Sequence, residues 1–196
     1  MSYDLMPYAV DFGRLRAAVG SGDERLLAEL ASAHADEMTR LDRHDEDHDP
    51  PIPPAADVLR HLILGEAGDP AAGFKYGYAL EWLCEHFGEP LNNSEWSAMR
   101  GQWFDTVGEA LVAAGVPATF SVLNLAFRGS PVPIPEPDDF PGIGYFTPEE
   151  VPAAAAALDA ADLGTMPEDV RKSVGQVRDW LGVCEETGRG LVCFYA

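Results

Sequence analysis

Apolar residues recur along this chain with two periods, and each change of period marks the end of an element. From Met1 to Val10 they alternate loosely, with Tyr3, Leu5, Tyr8 and Val10, which predicts a first strand. Asp11 then stands where a helix N-cap belongs, and Phe12, Leu15 and Val19 follow at helical spacing. Gly20-Ser21-Gly22 breaks that helix. Asp23 caps the next, whose Leu26, Leu27, Leu30 and Ala31 form one stripe. These glycines separate two helices and follow no strand, so they are not a dinucleotide-binding turn.

Three more helices follow. Val58, Leu59, Leu62 and Ile63 give the buried face of one that ends near Gly65. Tyr76, Leu80, Leu83, Cys84 and Phe87 do so for a second, between about Gly73 and Gly88. A third begins near Ser94 or Arg100, presents Trp103, Phe104, Val107, Leu111 and Val112, and stops at Gly115. Thr119 to Phe127 is rich in β-formers and predicts a strand. Prolines at 131, 133, 135, 137 and 141 make residues 129–141 a stiff connector rather than a strand. Gly142–Phe146 is a short strand, and Thr147-Pro148-Glu149-Glu150 is a capping box opening a helix through Ala153–Leu158. A last helix runs from about Pro167 to Leu181, and Thr187–Gly190 turns the chain into a closing strand, Leu191–Tyr195.

Strands at both ends, helices between them and no βαβ repeat predict an α+β fold. It is mainly helical, on a small, mostly antiparallel sheet that contains the N- and C-terminal strands. The expectation is one domain over residues 1–196, with an acidic, Pro-rich loop around 42–54. Trp103, Phe104, Leu111, Leu80, Leu83 and Trp180 are expected to be buried together in one core.

Three blocks carry a resemblance. They are the opening strand, Asp11 and helix; the stretch from Asp138 to Val151; and the terminal helix leading into Gly190–Tyr195. Together they resemble uncharacterised actinomycete proteins of unknown function and, more remotely, the bacterial YfbM-like family, which is α+β and also ends helix-turn-strand. The resemblance implies a fold; it brings no activity to any residue.

Charge changes the picture most. The chain carries 33 acidic against 13 basic residues, a net charge of −20. Nucleic-acid phosphates and anionic membranes are repelled by such a surface, so neither is an expected partner. Only Lys75 and Lys172 are lysines, which also fits coding bias in a GC-rich genome or salt adaptation. No signal peptide and no membrane-spanning run is expected. Cys84, Cys184 and Cys193 are odd in number and form no Cys-x-x-Cys, which points to free thiols in a reducing cytoplasm.

Candidate chemistry is sparse. His44 and His48 would share a helix face and could hold a divalent metal, but Pro50 and Pro51 favour a solvated acidic loop. Glu81, Glu85 and Glu89 fall at i, i+4, i+8 with His86 beside them; Leu83 stands where a di-iron helix needs its glutamate, so a solvent-facing stripe is the better reading. Cys84 lies on an apolar face, as an inert thiol would. Serine-nucleophile, phosphate-loop and zincin motifs are missing from the sequence, and no cofactor or metal is expected.

Two places remain as binding candidates. One is the acidic run Asp45, Glu46, Asp47 and Asp49. The other is the meeting of Asp138, Asp139, Phe140 and Tyr145, where acids, aromatics and glycines could line a cleft. The leading expectation is a non-enzymatic, immunity- or antitoxin-like protein whose acidic surface engages a basic protein. The alternative is a small-molecule-binding domain or enzyme with its cleft near Asp139 and Tyr145.

Overall fold

A computed structural model describes residues 2–44, 49, 51–117 and 120–196. Its elements run β1 (Leu5–Val10), α1 (Phe12–Ala18), α2 (Glu24–Ala33), α3 (Ala35–His44), α4 (Ala55–Leu64), α5 (Gly73–Phe87), β2 (Gly88–Pro90), α6 (Trp103–Ala113), β3 (Gly142–Phe146), α7 (Val151–Asp159), α8 (Glu168–Thr187) and β4 (Gly190–Tyr195). Short 3-10 turns lie at Pro70–Ala72, Ser94–Trp96, Val122–Leu125 and Leu163–Thr165. The fold is α+β and mainly helical, with a small antiparallel sheet. The chain divides into two compact units: residues 1–12, 88–131 and 142–196 form the first, and 13–87 with 132–141 the second.

The first unit is built on a four-stranded sheet of order β2-β1-β4-β3. Strand β4 lies between β1 and β3 and is antiparallel to both, with Leu5 opposite Tyr195 and Gly142 opposite the same tyrosine. The two terminal strands therefore share one sheet, as two apolar, β-prone ends must if their backbone groups are to be satisfied. Every residue of β4 is buried. Helix α8 packs on β1, β4 and α7, and its Val174, Val177, Trp180 and Leu181 are buried.

Buried polar groups on α8 hold the chain that follows β2. Gln176 accepts from the Glu95 N–H (2.9 Å) and donates to Ser94 Oγ (3.1 Å), and Ser173 Oγ donates to the Glu95 carbonyl (3.0 Å). The indole N–H of Trp96 donates to the Ser173 carbonyl (2.9 Å), and that of Trp180 to the Asn92 carbonyl (2.6 Å). Each of these donors thus has a partner, which is the condition for burying it without a large cost.

Thr119 to Phe127 is not a strand. Residue 119 lies outside the described residues, and Val122–Leu125 forms a 3-10 turn. Ser121 caps it, its Oγ accepting from the Leu123 N–H (3.3 Å), and Asn124 N–H returns to the Ser121 carbonyl (3.0 Å). Local bonds of this kind compete with a ladder for the same backbone groups. The turn lies directly on β3: a Cβ on Gly144 would run into the Asn124 carbonyl and the Leu125 backbone. Helix α7 starts later than the capping box predicts, at Val151, although Glu150 still accepts from the Thr147 N–H (2.9 Å). Likewise α6 begins at Trp103, and Ser94–Trp96 is a separate 3-10 turn.

The second unit is helical. Asp23 caps α2 by accepting from the N–H groups of Arg25 and Leu26. Residues 35–44, polar in sequence, form a full helix, α3, anchored by buried Met38. Preceding it, buried His34 stacks on Trp82 (5.2 Å) and reaches Glu37 (3.1 Å). Helix α5 ends at Phe87, so Glu89 is in β2 and the glutamate stripe stops at Glu85.

Two features tie this unit together. Residues 132–141 lie against α5, where Gly73 and Gly77 leave room for them. A Cβ at Gly77 would stand 2.8 Å from the Pro141 ring, and one at Gly73 would enter the Glu136 carbonyl. Lys75, on the same helix and 2% exposed, donates to Asp42 Oδ1 (2.8 Å) and to the Pro53 carbonyl (3.1 Å). The same carboxylate oxygen accepts from the Ala55 N–H at the start of α4 (2.8 Å). Asp42, at the head of the acidic run, is thus structural. The expected core residues divide between the units. Leu80 and Leu83 are buried in the second, and Phe104, Leu111 and Trp180 in the first; Trp103 is only half-buried.

Two substitutions test these ties by urea unfolding. Asp42→Ala removes a carboxylate acceptor of both the buried ammonium and the Ala55 N–H and is expected to cost about 3 kcal/mol, whereas Lys75→Met, which removes the charge and keeps the volume, costs far less. Gly77→Ala, despite a helix-propensity gain of up to about 1 kcal/mol, is expected to destabilise by roughly 1–3 kcal/mol, because the proline ring opposite cannot yield.

Candidate interaction site

The residues singled out from sequence are placed as follows. Asp45, Glu46 and Asp47 lie outside the described residues, as do His48 and the side chain of His44; Asp49 is exposed. Asp138, Asp139 and Phe140 belong to the second unit and Tyr145 to the first. Both aspartates are exposed and Phe140 is half-buried. Burial pushes the Tyr78 phenol above its ordinary value, and the charges of Glu81 and Asp139 add to the rise.

Tyr145 is occupied by its own unit. The Arg128 guanidinium lies over its ring at 4.2 Å and donates to its backbone carbonyl (3.0 Å). Arg128 also grips both oxygens of Glu150, at 2.7 Å each. That fork, with the Thr147 N–H, pulls the Glu150 carboxyl down to about 2.

All three cysteines are buried free thiols. Burial raises Cys84 well above its ordinary value and pushes Cys184 up to about 12, so neither offers a thiolate near neutrality. Among the described residues no three His, Cys, Asp or Glu side chains converge as metal ligands, and no helix is long and apolar enough to cross a membrane.

Among the described residues, one feature with the shape of a binding site lies elsewhere, in the first unit. A groove of about 590 Å³ runs between α6 and the 3-10 turn Val122–Leu125. Its floor is Phe104, Leu111, Val116, Phe120 and Val122, all buried, with Gly108 also lining it. Phe120 stacks on Phe146 of β3 (5.6 Å) and Phe104 meets Tyr195 of β4 edge-on (5.3 Å), so the floor is an extension of the sheet core.

The rim of the groove is exposed. Val112 is 74% exposed and Leu123 44%. Phe127, 60% exposed, packs against Phe104 (5.8 Å) and Tyr195 (5.6 Å) beside them. On the same helix, one turn apart, Asp105 and Glu109 complete the rim. Both are exposed, and no cation among the described residues pairs with either.

A family model described as a domain of unknown function (DUF7691) matches residues 1–196. The chain belongs to this family. No curated protein and no solved structure matches the chain. For this DUF7691 protein, geometry alone therefore has to nominate the site.

Sequence reasoning missed the groove. Its one trace is on α6, where Val112 follows Leu111 and so points about 100° around the helix from it. Counted with the buried face, Val112 widened the stripe; in the structure it is the stripe's exposed edge.

The Glu150 clamp gives a pH test. Its folded value lies below the ordinary 4.5. The stability it contributes is therefore complete above about pH 4.5 and is lost as pH falls through about 2. Since the carboxylate is 42% exposed, solvent screening holds that contribution to about 1 kcal/mol or less. Urea unfolding of Glu150→Gln should show a deficit near neutrality that vanishes near pH 2.

Proposed function

We propose that this is a non-enzymatic interaction protein that captures a basic protein through its acidic surface, in the manner of an immunity or antitoxin protein. The observation that carries this reading is an apolar groove rimmed by Asp105 and Glu109, unpaired among the described residues, on a chain of net charge −20. Charge brings a cationic partner in quickly, and desolvated apolar contact then holds it. Asp49 and its neighbours Asp45, Glu46 and Asp47, together with exposed Asp138 and Asp139, extend the attracting field. A cytoplasmic location is consistent with three free thiols. The resemblance to actinomycete proteins, and more remotely to the YfbM-like family, supports a bacterial α+β protein and adds no chemistry. The competing reading, a small-molecule site near Asp139 and Tyr145, is weakened at Tyr145, whose ring is already covered by Arg128.

The test is association with a lysine-rich partner across a salt series. Raising salt from about 0.1 M to about 1 M shortens the screening length from about 10 Å to about 3 Å, and the on-rate should fall steeply. Changing Asp45, Glu46, Asp47 and Asp49 to their amides should slow association and leave the melting temperature unchanged. A salt-independent on-rate would mean the acidity serves solubility alone.

A further inference from the structure

The groove itself indicates what kind of partner segment it takes. Val112 and Leu123 are large apolar side chains held in water at its rim, with Phe127 beside them. Exposed apolar groups gathered round a concave apolar floor mark a surface that is covered in use. Asp105 and Glu109 add charge at i, i+4, where like charges repel and weaken a helix. A cation placed between them relieves that repulsion.

Size and charge narrow the occupant. The groove positions on α6 run from Phe104 to Ala113, a rise of about 13.5 Å at 1.5 Å per residue. A helix anchored by residues i, i+3 or i+4, and i+7 presents its anchors over about 10.5 Å, and this is how amphipathic helices seat in apolar grooves. A second copy of this chain is a poor occupant, because each copy carries a net charge of −20. An anionic lipid surface is repelled for the same reason.

We infer that the groove between α6 and the Val122–Leu125 turn receives an amphipathic, cationic α-helix of a partner protein. Aliphatic anchors of that helix enter over Phe104 and Leu111, between Val112 and Leu123, and its Lys or Arg residues lie over Asp105 and Glu109. This rests on the reading that the acidic surface engages a basic partner, and it names the segment and the site.

The probe is a designed amphipathic peptide of about five helical turns, with Leu at i, i+3, i+4 and i+7 and Lys elsewhere. The controls are the same peptide with Lys replaced by Glu, and a scrambled peptide of equal composition that has no apolar face. Affinity for the full chain is measured by calorimetry at several salt concentrations. Val112→Ser with Leu123→Ser, both at exposed positions, is expected to weaken binding about tenfold at unchanged melting temperature and unchanged salt slope. Asp105→Asn with Glu109→Gln should weaken it about threefold and flatten the slope. Glu185→Gln with Glu186→Gln, exposed on α8 and outside the groove, should change it little.

If the Leu/Lys peptide binds with salt dependence but is indifferent to the groove substitutions, the groove assignment falls and the acidic-surface reading stands. If the scrambled peptide binds as tightly, the helical occupant falls. If no cationic peptide binds at any salt concentration, both fall together.

Discussion

The pairing of β4 with its two neighbours is the constraint on which the first unit depends. Among the described residues, strand β3 has only β4 as a strand partner, and β1 has just three paired residues on its other side. Without β4, two strands would expose open ladders, and α8 would lose much of the surface it covers. The aromatic side chains that shape the groove are held the same way: Phe104 and Phe127 both rest on Tyr195, and Phe120 on Phe146. The candidate site is thus an outcrop of the sheet core, with no separate scaffold of its own.

The acidic residues are not equivalent. Asp23, Asp69 and Asp162 cap helices or turns, and Asp42 holds a buried lysine. Glu150, Glu66 and Glu89 grip arginines. These carboxylates satisfy the chain's own donors. Asp105 and Glu109 have no such role among the described residues, yet they sit on a helix that bears a small repulsion from carrying them both. That contrast is more informative than the total charge, which coding bias alone could produce.

Much of the fold was legible because burial imposes a period. Both terminal strands and the faces of α2, α4, α5 and α8 follow from spacing alone. What escaped had local causes. Helix α3 offers only Met38 and Leu41 as large apolar residues, too few to register as a stripe, and Ser121 turned a β-prone segment into a 3-10 turn. The glycines of α5 carry no sign in the sequence of what they do, which is to admit a proline-rich strip. The groove was illegible because its walls come from segments whose contact is set by β3, and nothing in residues 104–123 announces that contact. Tyr145 could be picked out as an aromatic beside acids and glycines, but the arginine lying on it comes from 17 positions earlier in the chain.

The placement of β4 has a consequence for biogenesis. Synthesis proceeds from the N-terminal side, so β1 emerges from the ribosome long before the strand it needs. Residues 13–87, nearly all of the second unit, are available to fold meanwhile, but the sheet must wait for Gly190–Tyr195. The groove waits with it, since its floor leans on Tyr195. A chain interrupted before β4 would therefore lack the aromatic support on which the groove rests, so the shape of that surface is tied to completion of the sheet.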